Sequence, residues 1–286
     1  MSNGGIIGPT NDPVINDLIT TATSSTPGFA VNPASSTVSD LIVAGGGNAN
    51  SGGQAGGGGA GGYRYFASIP VTGGNPYPLV VGGAATNSSA FGYTSTAGGN
   101  GNAPRGQNGL PGGSGGGAAD HHPSGGGSGG SGNAGGFTPP EGNPGSGASP
   151  GSNSGETPGA GGGSTSAGAI ETVNGTPFVA RGGEGTPNSI TGTDLWYATG
   201  GFYPGGKAGP NEVGWPTRSY PGDWPAPSNP DGITMANTGN GAQGEGPGSG
   251  ASGVVVVKEA GLGGFVASGV WGLTEQLKAK KEGNWK

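Results

Sequence analysis

The chain contains no cysteine. That removes disulfide frameworks, thiolate metal sites and cysteine nucleophiles together. Large apolar side chains are also scarce: Leu, Ile, Val and Phe number 40 of 286 residues. A chain of this length ordinarily buries a large side-chain core, and this one lacks the side chains for it. TIM barrels, Rossmann folds and helical bundles, which need Leu- or Val-rich elements, are therefore excluded. Charged residues make up only 9%, with a net charge of −6. The ten Lys and Arg are scattered, so no basic stripe for nucleic acid is expected. No run of 18 apolar residues occurs, so no membrane-inserted helix is expected. Met1 to Gly8 has no basic segment followed by an apolar one, and no secretory signal is expected.

Glycine and proline are abundant instead, at 74 and 25 residues. Aperiodic sequence at that level normally reads as low-complexity or disordered. Disorder usually combines low hydrophobicity with high charge, and only the first half of that signature is met. The glycine is concentrated: 64 of the 74 lie between residues 45 and 253. Within that body a period of three emerges. Ser51, Gln54, Gly57, Ala60 and Tyr63 are separated by pairs that are all glycine except Ala55. Gly125, Ser128, Ser131, Ala134 and Phe137 repeat the pattern, with Asn133 the one exception. Three residues per turn fits neither α-helix nor strand, but fits the polyproline-II helix. That helix makes no internal hydrogen bonds, so its N–H and C=O groups need partners when buried. Glycine removes the Cβ barrier and lets neighbouring helices bond backbone to backbone. Collagen is a poor match, because the runs are short, interrupted and lack the Gly-X-Y proline content.

Several strands are expected. Asp40 to Ala44 is stopped by three glycines, and Val254 to Val257 reads as a strand buried on both faces. Pairing of these two would close the body at its base. Tyr65 to Val71 and Tyr77 to Val81, separated by Thr72-Gly73-Gly74-Asn75, read as a hairpin. Thr274 as N-cap, Lys278 to Lys281 in the last turn and Gly283 beyond it predict a short helix over 274–282. The expected fold class is mainly β and irregular: a glycine-rich body of short strands and packed polyglycine-II helices, with a short C-terminal helix. The expected division is an N-terminal docking segment over 1–38, a glycine-rich domain over 39–258 and a C-terminal module over 259–286.

Two groups of residues are candidates for contact. Ile6, Ile7, Val14, Ile15, Leu18 and Ile19 are the apolar points of the N-terminal segment, with Val14-Ile15 and Leu18-Ile19 at helical spacing. They suit either a loose tail or a peptide docking onto a partner. Trp196, Tyr197, Phe202, Tyr203, Trp215, Tyr220 and Trp224 form an aromatic-rich, proline-punctuated segment. Such rings stack on sugars or anchor protein interfaces, or they supply a core that is otherwise short of side chains. Catalytic signals are lacking. Asp120-His121-His122 holds both histidines, and no second ligand cluster accompanies it. Matches to G-x-G-x-x-G carry no information in this composition without a βαβ context. No enzyme activity, metal or cofactor is expected.

The chain resembles the glycine-rich tail-fibre and virion-surface proteins of tailed, notably marine, bacteriophages. The resemblance rests on an ordered set of motifs. These are Gly4-Gly5-Ile6-Ile7-Gly8-Pro9, Leu41 to Gly47, Gly58 to Arg64, Val80-Val81-Gly82, Gly250 to Val257, and Gly269-Val270-Trp271 through Glu275-Gln276 to Gly283-Asn284-Trp285. It is similar in style to phage adhesins whose receptor-binding tips are packed polyglycine helices with variable loops. The resemblance implies a non-enzymatic virion structural protein located in the virion. A tail fibre or adhesin contacting the host is the first reading, and a capsid decoration or head-fibre protein the second. Implied partners are other tail or capsid proteins, a host surface glycan or outer-membrane protein, and further copies of the chain, with a trimer suggested by fibre symmetry.

Overall fold

The computed structural model describes residues 17–50, 55–102, 106–120, 126–149, 157–173, 176–202, 236–244, 248–261 and 281. The structure is mainly β-strand, in open sheets, with no helix in the described part. The helix expected over 274–282 lies outside it, Lys281 apart.

The first sheet contains β1 (Leu18–Ala22), β3 (Thr37–Val43), β4 (Tyr63–Pro70) and β12 (Val254–Glu259), in the order β1-β12-β3-β4. The second contains β2 (Thr26–Ala30), β5 (Pro76–Val80), β6 (Ser88–Ala90) and β7 (Tyr93–Ser95), in the order β2-β5-β6-β7. Two hairpins complete the set: β8 (Ala169–Val173) with β9 (Thr176–Arg181), and β10 (Thr186–Asn188) with β11 (Leu195–Tyr197). Every paired neighbour is antiparallel.

The four valines of β12 are buried on both faces, as their continuous run predicts. Alternation sends Val255 and Val257 to one side, where they pack with Val38, Ile42, Ile69, Leu79 and Ala90 between the two sheets. Val254 and Val256 go to the other side, with Leu41, Val43, Ile190 and Tyr197. The expected pairing of the two core strands is present, with Val255 opposite Ile42 and Val256 opposite Leu41. Burial of each such side chain contributes about 1.5–3 kcal/mol.

Two expectations are corrected. β4 and β5 are not a hairpin: β4 pairs with β3, and β5 pairs with β2 and β6 in the other sheet. The turn between them, with Gly74 at φ 78°, carries the chain across from one sheet to the other. Adjacency of two apolar runs in sequence does not say which strand edges are already taken. The boundary expected after residue 38 lies inside β3. Leu18 and Ile19 lie in β1, not in a helical turn, and pair with Glu259 and Lys258. β2 pairs with β5. The outer edge of β12 needs backbone partners, and the Thr-rich segment supplies them, so residues 18–38 belong to the sheets. β12 runs one residue past the expected boundary at 258, to Glu259.

Beyond the sheets lies the glycine body. Its centre is the run 55–62, whose backbone bonds outward to six other runs. Gly56, Gly59 and Gly62 donate to Asn102, Gly99 and Thr96. Gly57 and Ala60 donate to Gly159 and Gly162, and Gly58 and Gly61 to Ala242 and Gly239. In return, the carbonyls of Gly57 and Ala60 accept from Gly117 and Ser114, that of Gly58 from Gly201, and those of Gly59 and Gly62 from Gly47 and Ala44. The donors thus repeat every three residues, at 2.8–3.2 Å. The run is buried, so each of these groups needs its partner.

The glycines of this run have no room for a side chain. A Cβ on Gly57 would overlap the carbonyl of Gly201, one on Gly58 that of Gly47, and one on Gly61 that of Ala44. All three neighbours are backbone and cannot rotate away. We therefore expect Gly58→Ala to abolish the cooperative thermal transition of the protein. Gly83→Ala, at an exposed position whose Cβ would meet nothing closer than Thr86 Oγ1 at 3.9 Å, should change stability by less than about 0.5 kcal/mol. Thermal unfolding of the two variants beside the parent checks both.

Candidate contact surfaces

The aromatic segment singled out in the sequence does not form one patch. Trp196 and Tyr197 lie on β11, where Trp196 pairs with Pro187 and Tyr197 with Thr186. Tyr197 is only 3% exposed and packs with Leu41, Val43, Val254 and Val256. Burial pushes its hydroxyl pKa up, against a hydrogen bond with Thr191. Tyr197 is therefore core, and its candidacy as a surface contact is corrected. The strand's other face leaves Trp196 half-buried, and Leu195 is exposed. Phe202, half-buried, sits at the opposite end of the run 198–202, where its carbonyl accepts from Gly244. Tyr203, Trp215, Tyr220 and Trp224 lie outside the described residues. So do Ile6, Ile7, Val14 and Ile15. Leu18 and Ile19 are exposed, on the outermost strand of the first sheet.

A cluster that the sequence reading passed over lies on β4. The Arg64 guanidinium carbon sits 3.8 Å from the Phe137 ring centroid, 4.9 Å from Phe66 and 5.9 Å from Tyr93. Phe66 and Tyr93 stack at 4.3 Å. Arg64 also donates from Nη1 to the Thr94 carbonyl at 2.7 Å. Burial lowers the Arg64 pKa, and Glu141 opposes that shift. Beneath the stack, buried Glu141 accepts from Thr96 N at 2.9 Å and from Gly135 N at 3.3 Å. These bonds pin the turn carrying Phe137 to the glycine body. Arg64-Tyr65-Phe66, a cation and a ring two residues apart on one strand face, was the available signal. The rest was hidden because the other two rings come from residues 93 and 137.

On the opposite face of the first sheet an open cleft of about 370 Å³ is lined by Ser39, Tyr65, Lys258, Asp194 and the segment from Pro187 to Ile190. Asn188 Nδ2 donates to Tyr63 Oη at 2.7 Å and fixes this wall to β4. Lys258 is ion-paired with Asp17 at 2.5 Å, which raises its pKa and lowers that of Asp17.

The largest organisational feature is the separation of two ends. Val43, Tyr63, Ser95 and Val254 join the sheets to one end of the glycine runs. At the outer end of the first sheet, Gly261 N donates to Asp17 Oδ1 at 3.0 Å. The segments preceding Asp17 and following Gly261 therefore begin side by side. The other end of the runs is marked by lateral contacts among their last residues. Ala49 bridges to Gly101 and Gly248, Gly106 N donates to the Asp120 carbonyl, and Ser149 bridges to Thr157. Side-chain amides trim this rim: Asn100 Oδ1 accepts from Asn48 N, Asn48 Oδ1 from Gly250 N, and Asn108 Oδ1 from Ser128 N. The connections 51–54, 103–105, 121–125, 150–156 and 245–247 all leave from and return to this far end. The aromatic connection 203–235 leaves there, after Phe202, and returns at the sheet end, where Asn237 N donates to Ser252 Oγ.

Among the described residues no group of three His, Cys, Asp or Glu is placed to hold a metal, and no helix is long and apolar enough to cross a membrane. The arrangement offers rings, amides and hydroxyls for contact. For the β4 cluster, Glu141→Ala should lower stability by about 2 kcal/mol in denaturant unfolding, because it orphans the Thr96 and Gly135 amides. Glu141→Gln, which keeps an acceptor, should lose less. No family model and no curated protein sequence matches the chain.

Proposed function

We propose that this protein is a non-enzymatic structural component of a bacteriophage virion. It is a surface appendage, a tail fibre or adhesin, mounted by its sheet end and presenting its far end to the host. The observation that carries this reading is the opposition of the two ends. Asp17 and Gly261 bring the starts of both terminal segments together at the sheets. Five short connections open at the other end, beyond the Asn-trimmed rim. A rigid spacer with an attachment end and a display end is what such an appendage requires. Partners on this reading are tail or capsid proteins at the sheets, a host glycan or outer-membrane protein at the far end, and sister copies in a trimer.

The spacer itself is proposed to be a bundle of polyglycine-II helices. Donors that repeat every three residues and reach three different runs, with acceptors reaching three more, are the pattern expected of such helices packed together. Chemical shifts of residues 56–62 should then report φ near about −75° and ψ near about +145°. Values typical of α-helix would overturn this part of the proposal.

The mounting end is tested by deletion. Removing residues 2–16 leaves every described strand intact, whereas a cut at 38 would take β1 and β2 with it. The shorter deletion should fold with an unchanged thermal midpoint yet fail to enter particles, read by labelling of purified virions. Normal incorporation would refute mounting through that segment. Replacing Trp215 and Trp224 by alanine should reduce host adsorption at least tenfold with incorporation intact. Unchanged adsorption would favour the second reading, a capsid decoration or head-fibre protein.

A further inference from the structure

Asp40 is a charged-type residue in a place where the rest of the fold puts valine. It lies in β3 between Val38 and Ile42, on the face that packs against the second sheet. It pairs with Val257 on β12 and Phe66 on β4. The side chain is fully buried, and neither carboxyl oxygen has a hydrogen-bond partner. An unpaired carboxylate is strongly disfavoured in such surroundings.

The neighbouring groups do not relieve it. On β12 the same face carries Val255, Val257 and Glu259, and Glu259 is committed to Asn32 N and Ser35 Oγ at 2.8 and 2.6 Å. On β4 it carries Arg64, which is turned to the Thr94 carbonyl and the Phe137 ring. β5 contributes Leu79, and β6 contributes Ser88 and Ala90; the Ser88 hydroxyl accepts from Gly82 N. β7 contributes Ser95, whose hydroxyl donates to the Gly62 carbonyl at 2.5 Å, and Tyr93, whose ring stacks on Phe66. β1 and β2 present Ala22 and Phe29 to this core.

We propose that Asp40 makes the joint between the two sheets a pH-set latch, closed when its carboxyl is neutral and loosened when the carboxyl must carry charge. Burial pushes its pKa up to about 8, from 3.8 when exposed. The sign follows from linkage. With a raised pKa in the closed state, the stabilisation is complete below pH 3.8 and is lost as pH rises towards 8. Within that window the opened state is ionised and the closed state neutral, so opening should become up to about tenfold more frequent per pH unit. Other carboxylates add their own pH dependence, and comparison with neutral variants removes it.

The experiment is hydrogen exchange of the full chain between pH 5 and 8, corrected for intrinsic exchange and read on peptides covering 37–43 and 254–259. Asp40→Asn and Asp40→Leu serve as the neutral comparisons. The ratio of opening in the parent to opening in either variant should climb steadily with pH. A ratio independent of pH overturns the latch. The parent alone supplies a second reading, independent of whether the variants fold. The Asp40 carboxyl carbon should titrate near pH 8 by NMR, and titration below pH 5 overturns the proposal.

Discussion

The structure depends on backbone hydrogen bonding between runs that have no side chains to keep them apart. The donors of residues 56–62 find carbonyls on three other runs, and their acceptors are met by three more. Net, each bond contributes only about 0.5–1.5 kcal/mol, while ordering each glycine costs more conformational entropy than any other residue does. The bonds therefore stabilise the body only collectively, with both ends of most runs held. That requirement explains why the sheets sit where they do. They seize the runs at one end, and short connections join them at the other.

The first sheet is the clamp. Its central strands β3 and β12 are buried on both faces, one against the second sheet and one against the β10–β11 hairpin and the glycine body. Most large aliphatic burial in the described part is spent here, which is how a chain with so few such residues holds a defined fold. Tyr197 is drawn into this layer for the same reason. In a molecule poor in apolar volume, a ring next to three valines and a leucine is more useful inside than out. The Phe91-Gly92 turn shows a related compromise. Phe91 takes a left-handed backbone (φ 49°), a conformation that costs a non-glycine residue about 1–3 kcal/mol. Its ring packs against Phe29 and Tyr77, which offsets that strain.

The interior of the glycine body is filled by main chain, held by backbone hydrogen bonds between runs. The sheet end is the reverse. It is packed with side chains, holds both terminal segments, and includes Asp40, a fully buried carboxyl without a hydrogen-bond partner. The two ends thus answer to different physical constraints, which is consistent with one end attaching and the other presenting.

The sequence by itself determined the building material and the clamp. A period of three in glycine announces lateral backbone bonding, and four consecutive valines announce a strand covered on both faces. Both signals are local, so they survive without knowledge of neighbours. The tertiary structure alone decided which edges pair and which rings are exposed. β4 and β5 look like a hairpin until β3 and β2 are seen to have claimed their edges. Leu18 and Ile19 look like part of a tail until the open edge of β12 is seen to need them. Arg64, Phe66, Tyr93 and Phe137 become one cluster only because the glycine body folds residue 137 back over β4. In each case the partner lies far away in sequence, and strand adjacency is set by which backbone groups remain unpaired, a property that no single segment carries.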